Sequence, residues 1–257
     1  MIDAHNHLQD ERLAPWQKDF AELRVKHAVV NGTAENDWPL VLSLARKHPW
    51  IIPSLGLHPW FVKNRGAQWF ECLQKMVEEH RCAIGEIGLD RWIDEPDLPA
   101  QEDVFIRQLR LAAKSNLPVT IHCLKAWGRL AEILRAEPRP ACGFLLHSYG
   151  GPKEMVKGLA DLGGYFSISG YFANERKSRS REAFRAVPLD RLLIETDAPD
   201  MAPPESVDRY KLPGNVNHPG NIETVYDFAA ELFELPREEL EAKIERNFQT
   251  LFAPVLG

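Results

Sequence analysis

Near its start the chain reads IDAHNHL, at residues 2–8, and the fold prediction starts from this stretch. The segment is short and largely apolar, which indicates a β-strand. Successive side chains of a strand alternate between its faces, so His5 and His7 point the same way. Two neutral imidazoles side by side supply half of a divalent-metal site. The alternative is a polar edge strand with two solvated histidines, and this short motif alone does not separate the two interpretations.

The same kind of apolar segment recurs along the chain. Strand-like runs lie at residues 1–4, 27–31, 51–56, 83–86, 118–122, 143–147, 165–169 and 191–195. Most are continuous apolar runs, as expected for strands buried on both faces. Helical patterns lie between or after them, at residues 38–48, 67–79, 101–115, 127–135, 153–162, 182–186, 221–233 and 237–252. Strands that alternate with helices predict a parallel sheet, and eight such units predict an α/β fold of the (β/α)8 TIM-barrel type.

Length and composition set further limits. The chain has 257 residues, close to the ~250 of a single barrel, which predicts one domain over residues 1–257. The formal net charge of −6 argues against a nucleic-acid footprint spread over the whole surface, but a local cationic pocket or bound metal ions remain compatible with it. No apolar run reaches the ~20 residues of a membrane span. Met1 leads directly into the first strand, and the four cysteines form no C-x-x-C pair, which together predict a cytoplasmic protein with reduced thiols.

The candidate metal ligands all fall at the carboxyl ends of predicted strands. In a parallel barrel these ends converge on one mouth, where active sites are built. The set has four histidines and two carboxylates: His5, His7, Glu86, His122, His147 and Asp197. It exceeds what one tetrahedral zinc needs and suits two divalent ions, ~3.5–4 Å apart, with a bridging carboxylate. Each residue taken singly has a structural explanation, but their agreement in strand phase and barrel end favours a metal site.

The sequence resembles the TatD family of metal-dependent hydrolases, within the amidohydrolase-like barrels. The resemblance covers essentially the whole chain. It is carried by DAHNHL at 3–8, GLHP at 56–59, GEIGLD at 85–90, PVTIH at 118–122, HSYGG at 147–151, SISG at 167–170 and ETDAP at 195–199. It implies a binuclear site of two divalent ions, magnesium or zinc, with manganese as a further alternative. In that site His5, His7, Glu86 and Asp197 hold one ion, while Glu86, His122 and His147 hold the other, so that Glu86 bridges.

The resemblance also implies an activity. The family's best-described reaction is phosphodiester hydrolysis by a 3′→5′ deoxyribonuclease, so the expected substrate is DNA or another phosphodiester. Catalysis is then expected from a metal-activated water, with Asp197 as its base and Glu86 as the shared ligand. Asp197 can in addition cap the following segment. His58 is expected to contact the scissile phosphate; the alternative is a histidine hydrogen-bonded in the barrel rim.

Some positions depart from the family pattern. Two residues after His122 the family commonly has an arginine, and here that position is Leu124. Residues 216–219 read VNHP, where RNEP is common. These changes lie in substrate-facing loops and weaken the inference of substrate class more than that of metal-dependent hydrolysis. Two alternatives therefore stay open: a hydrolase of small amides or esters, and a non-catalytic partner subunit that keeps metal for stability. The oligomeric state also stays open, between a monomer and a weak oligomer.

Several other residues near the predicted strand ends are secondary candidates. Trp60, Trp92 and Trp127 could stack on nucleobases, although loop packing is favoured for each one singly. Lys125 and Arg129 could contact phosphates, against the default of surface charge.

Two further carboxylates, Asp90 and Glu195, are predicted to support the site or to have a purely structural role. Asp90 is expected to support a ligand or to anchor a loop. Glu195 lies two residues before Asp197, and therefore on the same strand face, where it either orients a ligand or forms a structural ion pair.

Overall fold

Eight parallel strands follow one another around a single sheet in chain order. A computed structural model describes residues 1–256, apart from the side chain of residue 21. The strands are β1 Ile2–Asn6, β2 His27–Asn31, β3 Ile51–Leu55, β4 Ala83–Asp90, β5 Val119–Leu124, β6 Phe144–Leu146, β7 Gly164–Ile168 and β8 Leu192–Ile194. Each is hydrogen-bonded to the next in parallel register, so the predicted (β/α)8 barrel is confirmed.

The barrel is closed beside the candidate site. The segment that follows β8 runs along the carboxyl end of β1: the Asp197 amide donates to the His5 carbonyl at 3.0 Å, and the His7 amide donates to the Ala198 carbonyl at 2.7 Å. These two hydrogen bonds bring the first and last motifs of the chain side by side. Closure of the fold and assembly of the site therefore depend on the same contacts.

The helices pack around the sheet. They are α1 Trp38–Lys47, α2 Trp69–Glu79, α3 Leu98–Ser115, α4 Trp127–Ala136, α5 Val156–Asp161, α6 Ser178–Arg185, α7 Ile222–Phe233 and α8 Arg237–Phe252. The first unit departs from the pattern, because the connection from β1 to β2 holds a 3-10 helix over Glu11–Glu22. Pro15 lies inside it, and a proline interrupts an α-helix because it has no amide hydrogen to donate. Within residues 1–256, no helix has the length and apolar character that crossing a membrane requires.

The predicted end of the fourth strand was wrong. Its apolar run was expected to stop at Glu86, but β4 continues to Asp90 and is eight residues long. Gly88 permits the extension: its φ is +150°, and a Cβ at this position would lie 1.9 Å from the carbonyl oxygen of His122 in β5. Gly88 therefore allows β4 and β5 to approach closely. Glu86 consequently lies within its strand and not at its end.

Two buried glutamines of α3 hold the strand ends in place. Gln101 and Gln108 are seven residues apart and therefore lie on one helix face. The side-chain amide of Gln101 accepts a hydrogen bond from the backbone amide of Asp90 at 2.8 Å and donates one to the backbone carbonyl of Asp90 at 2.9 Å. The side-chain amide of Gln108 makes the same pair of hydrogen bonds with the backbone of Leu57, accepting from its amide at 2.7 Å and donating to its carbonyl at 3.1 Å. Each glutamine thus continues the hydrogen bonding of a strand where the sheet itself ends, next to residues of the site.

Replacing Gln108 with methionine is expected to destabilise the fold. Methionine has nearly the same shape but leaves the buried Leu57 amide and carbonyl without their partner, which costs about 2 to 4 kcal/mol in the free energy of unfolding. Urea denaturation measures the change. Gln249→Met, at an exposed position of α8, is the matched control. Equal urea midpoints for the two variants would show that the Gln108 pairing does not stabilise the barrel.

Candidate metal centre

All six predicted ligands converge at the carboxyl end of the barrel, with Glu86 at their centre. Glu86 Oε2 lies 3.5 Å from His5 Nε2 and 3.2 Å from His7 Nε2. Glu86 Oε1 lies 2.8 Å from His147 Nε2 and 3.0 Å from His122 Nδ1. The two oxygens of one carboxylate therefore face different groups of imidazoles.

Asp197 completes one side of this arrangement. Its Oδ1 lies 3.3 Å from His5 Nε2 and 3.6 Å from His7 Nε2. Asp197 therefore stands on the side of Glu86 Oε2, opposite the pair of histidines that face Oε1. The site has two halves with Glu86 between them, which is the arrangement that a bridging role requires.

His58 lies in the same ring, a position that sequence reasoning did not identify. Its Nε2 is 3.3 Å from Glu86 Oε1, and its Nδ1 accepts the Trp60 amide at 3.2 Å. Because Nδ1 is the acceptor, Nε2 carries the proton and points it at the carboxylate. His58 was predicted from its motif to contact a phosphate, and that role stays a prediction. No sequence pattern indicated its contact with Glu86, because His58 lies beyond the end of β3, where strand alternation no longer predicts the direction of a side chain.

Electrostatic interactions favour the charged forms of four of these groups, His7, His147, Glu86 and Asp197. Burial would lower the pKa of His7, but its hydrogen bond with Glu86 raises the pKa to about 9. Burial opposes the change at His147 too, yet the charge of Glu86 raises the pKa of His147 well above its ordinary value. Burial favours the neutral acid at Glu86, while the surrounding imidazoles hold the pKa of Glu86 well below its usual range. The pKa of Asp197 is also lowered, against its burial, by the hydrogen bond from His5. The buried carboxylates of Glu86 and Asp197 therefore need positive charge close to them, from imidazolium groups or from cations.

The donor set fits divalent metal ions. The Nε2 atoms of His5 and His7 are 3.2 Å apart, and both face carboxylate oxygens, so a cation between them would satisfy nitrogen and oxygen lone pairs together. Imidazole nitrogens and carboxylate oxygens are ligands for zinc and manganese, and carboxylates also serve magnesium. Donor atoms within 4.8 Å of one another form three overlapping sets: His5 with Glu86 and His147, His5 with His7 and Asp197, and His58 with Glu86 and His122.

Further carboxylates support the histidines from behind. Asp90 Oδ2 accepts from His122 Nε2 at 3.0 Å and from Trp60 Nε1 at 2.7 Å. Burial opposes ionisation of Asp90, but these hydrogen bonds lower its pKa to about 2. Glu195 Oε1 lies 3.6 Å from His147 Nδ1 and accepts the Ser148 amide at 2.7 Å. The hydrogen bond from His122 lets Asp90 fix the orientation of that ring, whereas Glu195 lies beyond hydrogen-bonding distance of His147.

Asp3 is a supporting residue that sequence reasoning missed. Its two oxygens accept the Thr196 amide at 2.9 Å and the Thr196 hydroxyl at 2.6 Å. Asn217 donates to the Thr196 carbonyl at 2.9 Å, so Thr196 is held on both sides. These bonds fix the backbone just before Asp197, whose φ of 55° is uncommon for a residue other than glycine. A signal was present: Asp3 lies two residues before His5 and so shares its strand face.

The secondary candidates separate into mouth and surface residues. Arg129 pairs with Glu102 at 2.7 Å and with Glu132 at 3.0 Å, so its charge is used at the surface. Trp127 packs against Tyr149, with ring centroids 4.6 Å apart. Arg129 is therefore a surface charge and Trp127 a packing residue, as the structural alternative for each predicted.

Trp60 and Trp92 lie at exposed positions. Trp60 lines the cavity of about 710 Å³ above Glu86 and keeps 54% of its surface exposed. Trp92 is 65% exposed and carries the Lys125 ammonium 4.7 Å from its ring centroid. Residues 200–205, from the irregular segment after β8, line the same cavity. Trp60 therefore remains available to a ligand at the mouth.

A parallel barrel with histidines and carboxylates gathered at its carboxyl end defines a class, the metal-dependent hydrolase barrels. The sequence matches the family model described as TatD related DNase over residues 2–253. The chain therefore belongs to the TatD family and is a metal-dependent hydrolase. The resemblance drawn from the motifs is thus confirmed.

Individual relatives match over nearly the full length. The chain is 30% identical over 261 residues to the uncharacterized metal-dependent hydrolase YjjV of Escherichia coli K12, covering 98% of this chain and 97% of that protein. It is 31% identical over 238 residues to the 3'-5' ssDNA/RNA exonuclease TatD of Erwinia tasmaniensis, covering 91% of each. The crystal structure of YjjV, a TatD homolog, superposes with a TM-score of 0.89 at 29% identity, covering 98% of both chains.

Replacing Glu86 with glutamine is expected to remove tight metal binding. The change keeps the shape but removes the charge that both halves share, so metal affinity should fall by more than the ~10–100-fold typical of outer-partner losses. Elemental analysis after dialysis measures the bound metal. Metal at 100 times its Kd should stabilise the unsubstituted protein by about 2.7 kcal/mol, seen as a higher Tm that EDTA reverses.

Glu182→Gln, at an exposed position of α6, is the control for the loss of one carboxylate charge. It should bind metal and respond to EDTA as the unsubstituted chain does. Full metal content in Glu86→Gln would contradict the assignment of Glu86 as the shared ligand.

Proposed function

We propose that this hydrolase is a phosphodiesterase that removes nucleotides from the 3′ end of single-stranded DNA. The observation that carries the proposal is the Glu86 carboxylate shared between two groups of imidazoles, with Asp197 on one side. That arrangement suits two divalent ions, which is the number that phosphoryl-transfer sites commonly use. The similarity to a relative named as a 3'-5' ssDNA/RNA exonuclease also supports this proposal.

The ligand assignment follows from the two halves. His5, His7, Glu86 and Asp197 would hold one ion, and Glu86, His122 and His147 the other. Such a pair, when bound, supplies an activated water near neutral pH and neutralises charge on the phosphoryl oxygens.

Asp197 is the proposed base. Both of its imidazole contacts fall on Oδ1, which leaves Oδ2 to accept the proton of the attacking water. His58 lines the cavity, and its Nε2 proton, which faces Glu86 Oε1 here, would pass to a phosphoryl oxygen once cations satisfy that carboxylate. Asp90 would keep the His122 ring oriented through their hydrogen bond, and Glu195 would contribute negative charge behind His147.

The mouth suits a flexible strand end. Its cavity of about 710 Å³ has the size of a small-molecule or nucleotide pocket, and Trp60 presents an exposed ring at its wall. Stacking of bases on such rings is tolerant of sequence, because every base has a flat face. Single-stranded DNA is therefore a better fit than a duplex, whose bases are already stacked.

A second candidate is hydrolysis of a small amide or ester with the same water. The observation that favours it is Leu124, which lines the cavity with a neutral side chain where a phosphate-binding residue would have carried charge. The third alternative, a non-catalytic subunit, has no comparable observation in its favour.

The reaction can be tested by assaying one enzyme preparation against three substrates. With Mg²⁺, Mn²⁺ or Zn²⁺, a 5′-labelled single-stranded oligonucleotide should lose nucleotides stepwise from its 3′ end, while small amide and ester panels should be hydrolysed far more slowly. Asp197→Ala should reduce turnover by about 10²–10⁴-fold, as expected for loss of a general base, and Glu182→Gln should not.

Each other outcome has a defined meaning. Faster hydrolysis of an amide or ester would replace the phosphodiesterase proposal with the second candidate. A Tm that falls on metal removal, without turnover of any substrate, would support the non-catalytic alternative. Full activity of Asp197→Ala would contradict the assignment of the base.

A further inference from the structure

Two cationic side chains, Arg12 and Arg176, line the cavity above the metal centre among residues 1–256. Arg12 is already neutralised, because its guanidinium makes hydrogen-bonded ion pairs with Asp10 and Asp200, each at 2.8 Å. Arg176 has no ion pair with any described residue. Its Nη2 donates to the Tyr171 hydroxyl at 3.2 Å, and the side chain is exposed. Within this part of the molecule, Arg176 is therefore the guanidinium left to bind an anion at the mouth.

Tyr171 adds an aromatic surface at the same place. Its ring lines the cavity, and it is approached by the Arg176 guanidinium at 5.5 Å and by the Lys177 ammonium at 4.3 Å from the ring centroid. A phenol flanked by two cations offers a stacking face for a base next to positive charge for a phosphate. One nucleotide unit contains both of these groups.

The position of Arg176 also connects two cavities. Besides the mouth, Arg176 lines a neighbouring groove of about 1270 Å³ between α6 and α7. Asn174, Arg176 and Pro204 are common to both, so the groove opens directly from the mouth. The groove also holds Arg185, which has no ion pair within the described residues. A strand whose 3′ end occupies the metal centre thus has a continuous path past Arg176.

We propose that Arg176 and Tyr171 form a subsite for the second nucleotide of a single-stranded substrate. The Arg176 guanidinium would bind the phosphodiester one position to the 5′ side of the bond being cleaved, and the Tyr171 ring would stack on the adjacent base. The inference rests on the proposed phosphodiesterase function and adds how the substrate strand is held. It also accounts for phosphate recognition in a mouth where Leu124 carries no charge.

The test compares substrates with one and two linkages. The dinucleotide dTpT has a single phosphodiester, which the metal centre occupies, whereas dTpTpT has a second one for Arg176. Arg176→Gln should lower kcat/KM for dTpTpT by about tenfold, as for loss of a charged hydrogen bond, and change that for dTpT less than twofold. Arg176→Lys should restore part of the loss because it keeps the charge. Tyr171→Leu should lower kcat/KM for both substrates, because the base of the second nucleoside is present in dTpT as well as in dTpTpT.

Arg179→Gln is the matched control, since Arg179 is exposed on the same segment but lines neither cavity. A second readout is independent of turnover: binding of a fluorescent single-stranded decamer in EDTA, followed by anisotropy at several salt concentrations. Arg176→Gln should weaken binding and reduce the slope of log Kd against log salt by about 0.7, and Arg179→Gln should have a smaller effect on both.

Equal losses of Arg176→Gln on dTpT and dTpTpT, or equal effects of Arg176→Gln and Arg179→Gln, would overturn the subsite. Normal cleavage of both substrates by Arg176→Gln would overturn it while leaving the proposed function in place. Absence of cleavage by the unsubstituted enzyme, together with Arg176-dependent binding of the decamer, would contradict the phosphodiesterase proposal and support the subsite.

Discussion

The buried Glu86 carboxylate, with imidazoles facing both of its oxygens, is the interaction on which the rest of the site depends. A carboxylate buried in the mouth of a barrel is costly unless charged or hydrogen-bonding groups surround it. Here those groups come from four different strands or strand ends: His5 and His7, His58, His122 and His147. The barrel must close correctly for them to meet. Folding and metal binding are therefore linked, and a stable fold is also a prepared site.

A second layer of contacts makes this arrangement rigid. Asp90 and Glu195 stand behind two of the histidines, and Asp3 fixes the backbone that leads into Asp197. The glutamines of α3 hold two of the strand ends from outside the sheet. Most of these contacts join residues far apart in the chain. The positions of the donor atoms are consequently set by the whole barrel, and loop movements at the mouth can occur without disturbing them.

The mouth has a different character from the centre below it. The chain is acidic overall, and the carboxylates around the mouth engage Arg12 in ion pairs. Arg176 and Tyr171 come from the segment after β7, and they give one wall a free positive charge and an aromatic face. Divalent ions at the centre and this wall would together offset the acidic background locally. A protein with net negative charge can thus present an attractive path to a polyanion.

The sequence by itself determined the βα alternation, the barrel class and the convergence of six candidate ligands, because periodicity and strand phase are local properties of the chain. It misplaced the end of β4, since the apolar run predicts an end at Glu86, whereas Gly88 permits a close contact with β5 that extends the strand to Asp90. It also predicted no 3-10 helix over Glu11–Glu22. Only the tertiary structure decided that His58 joins Glu86 and that Arg176 reaches the mouth. Those relations join separate loops, and their geometry is fixed by packing between elements that no local pattern records.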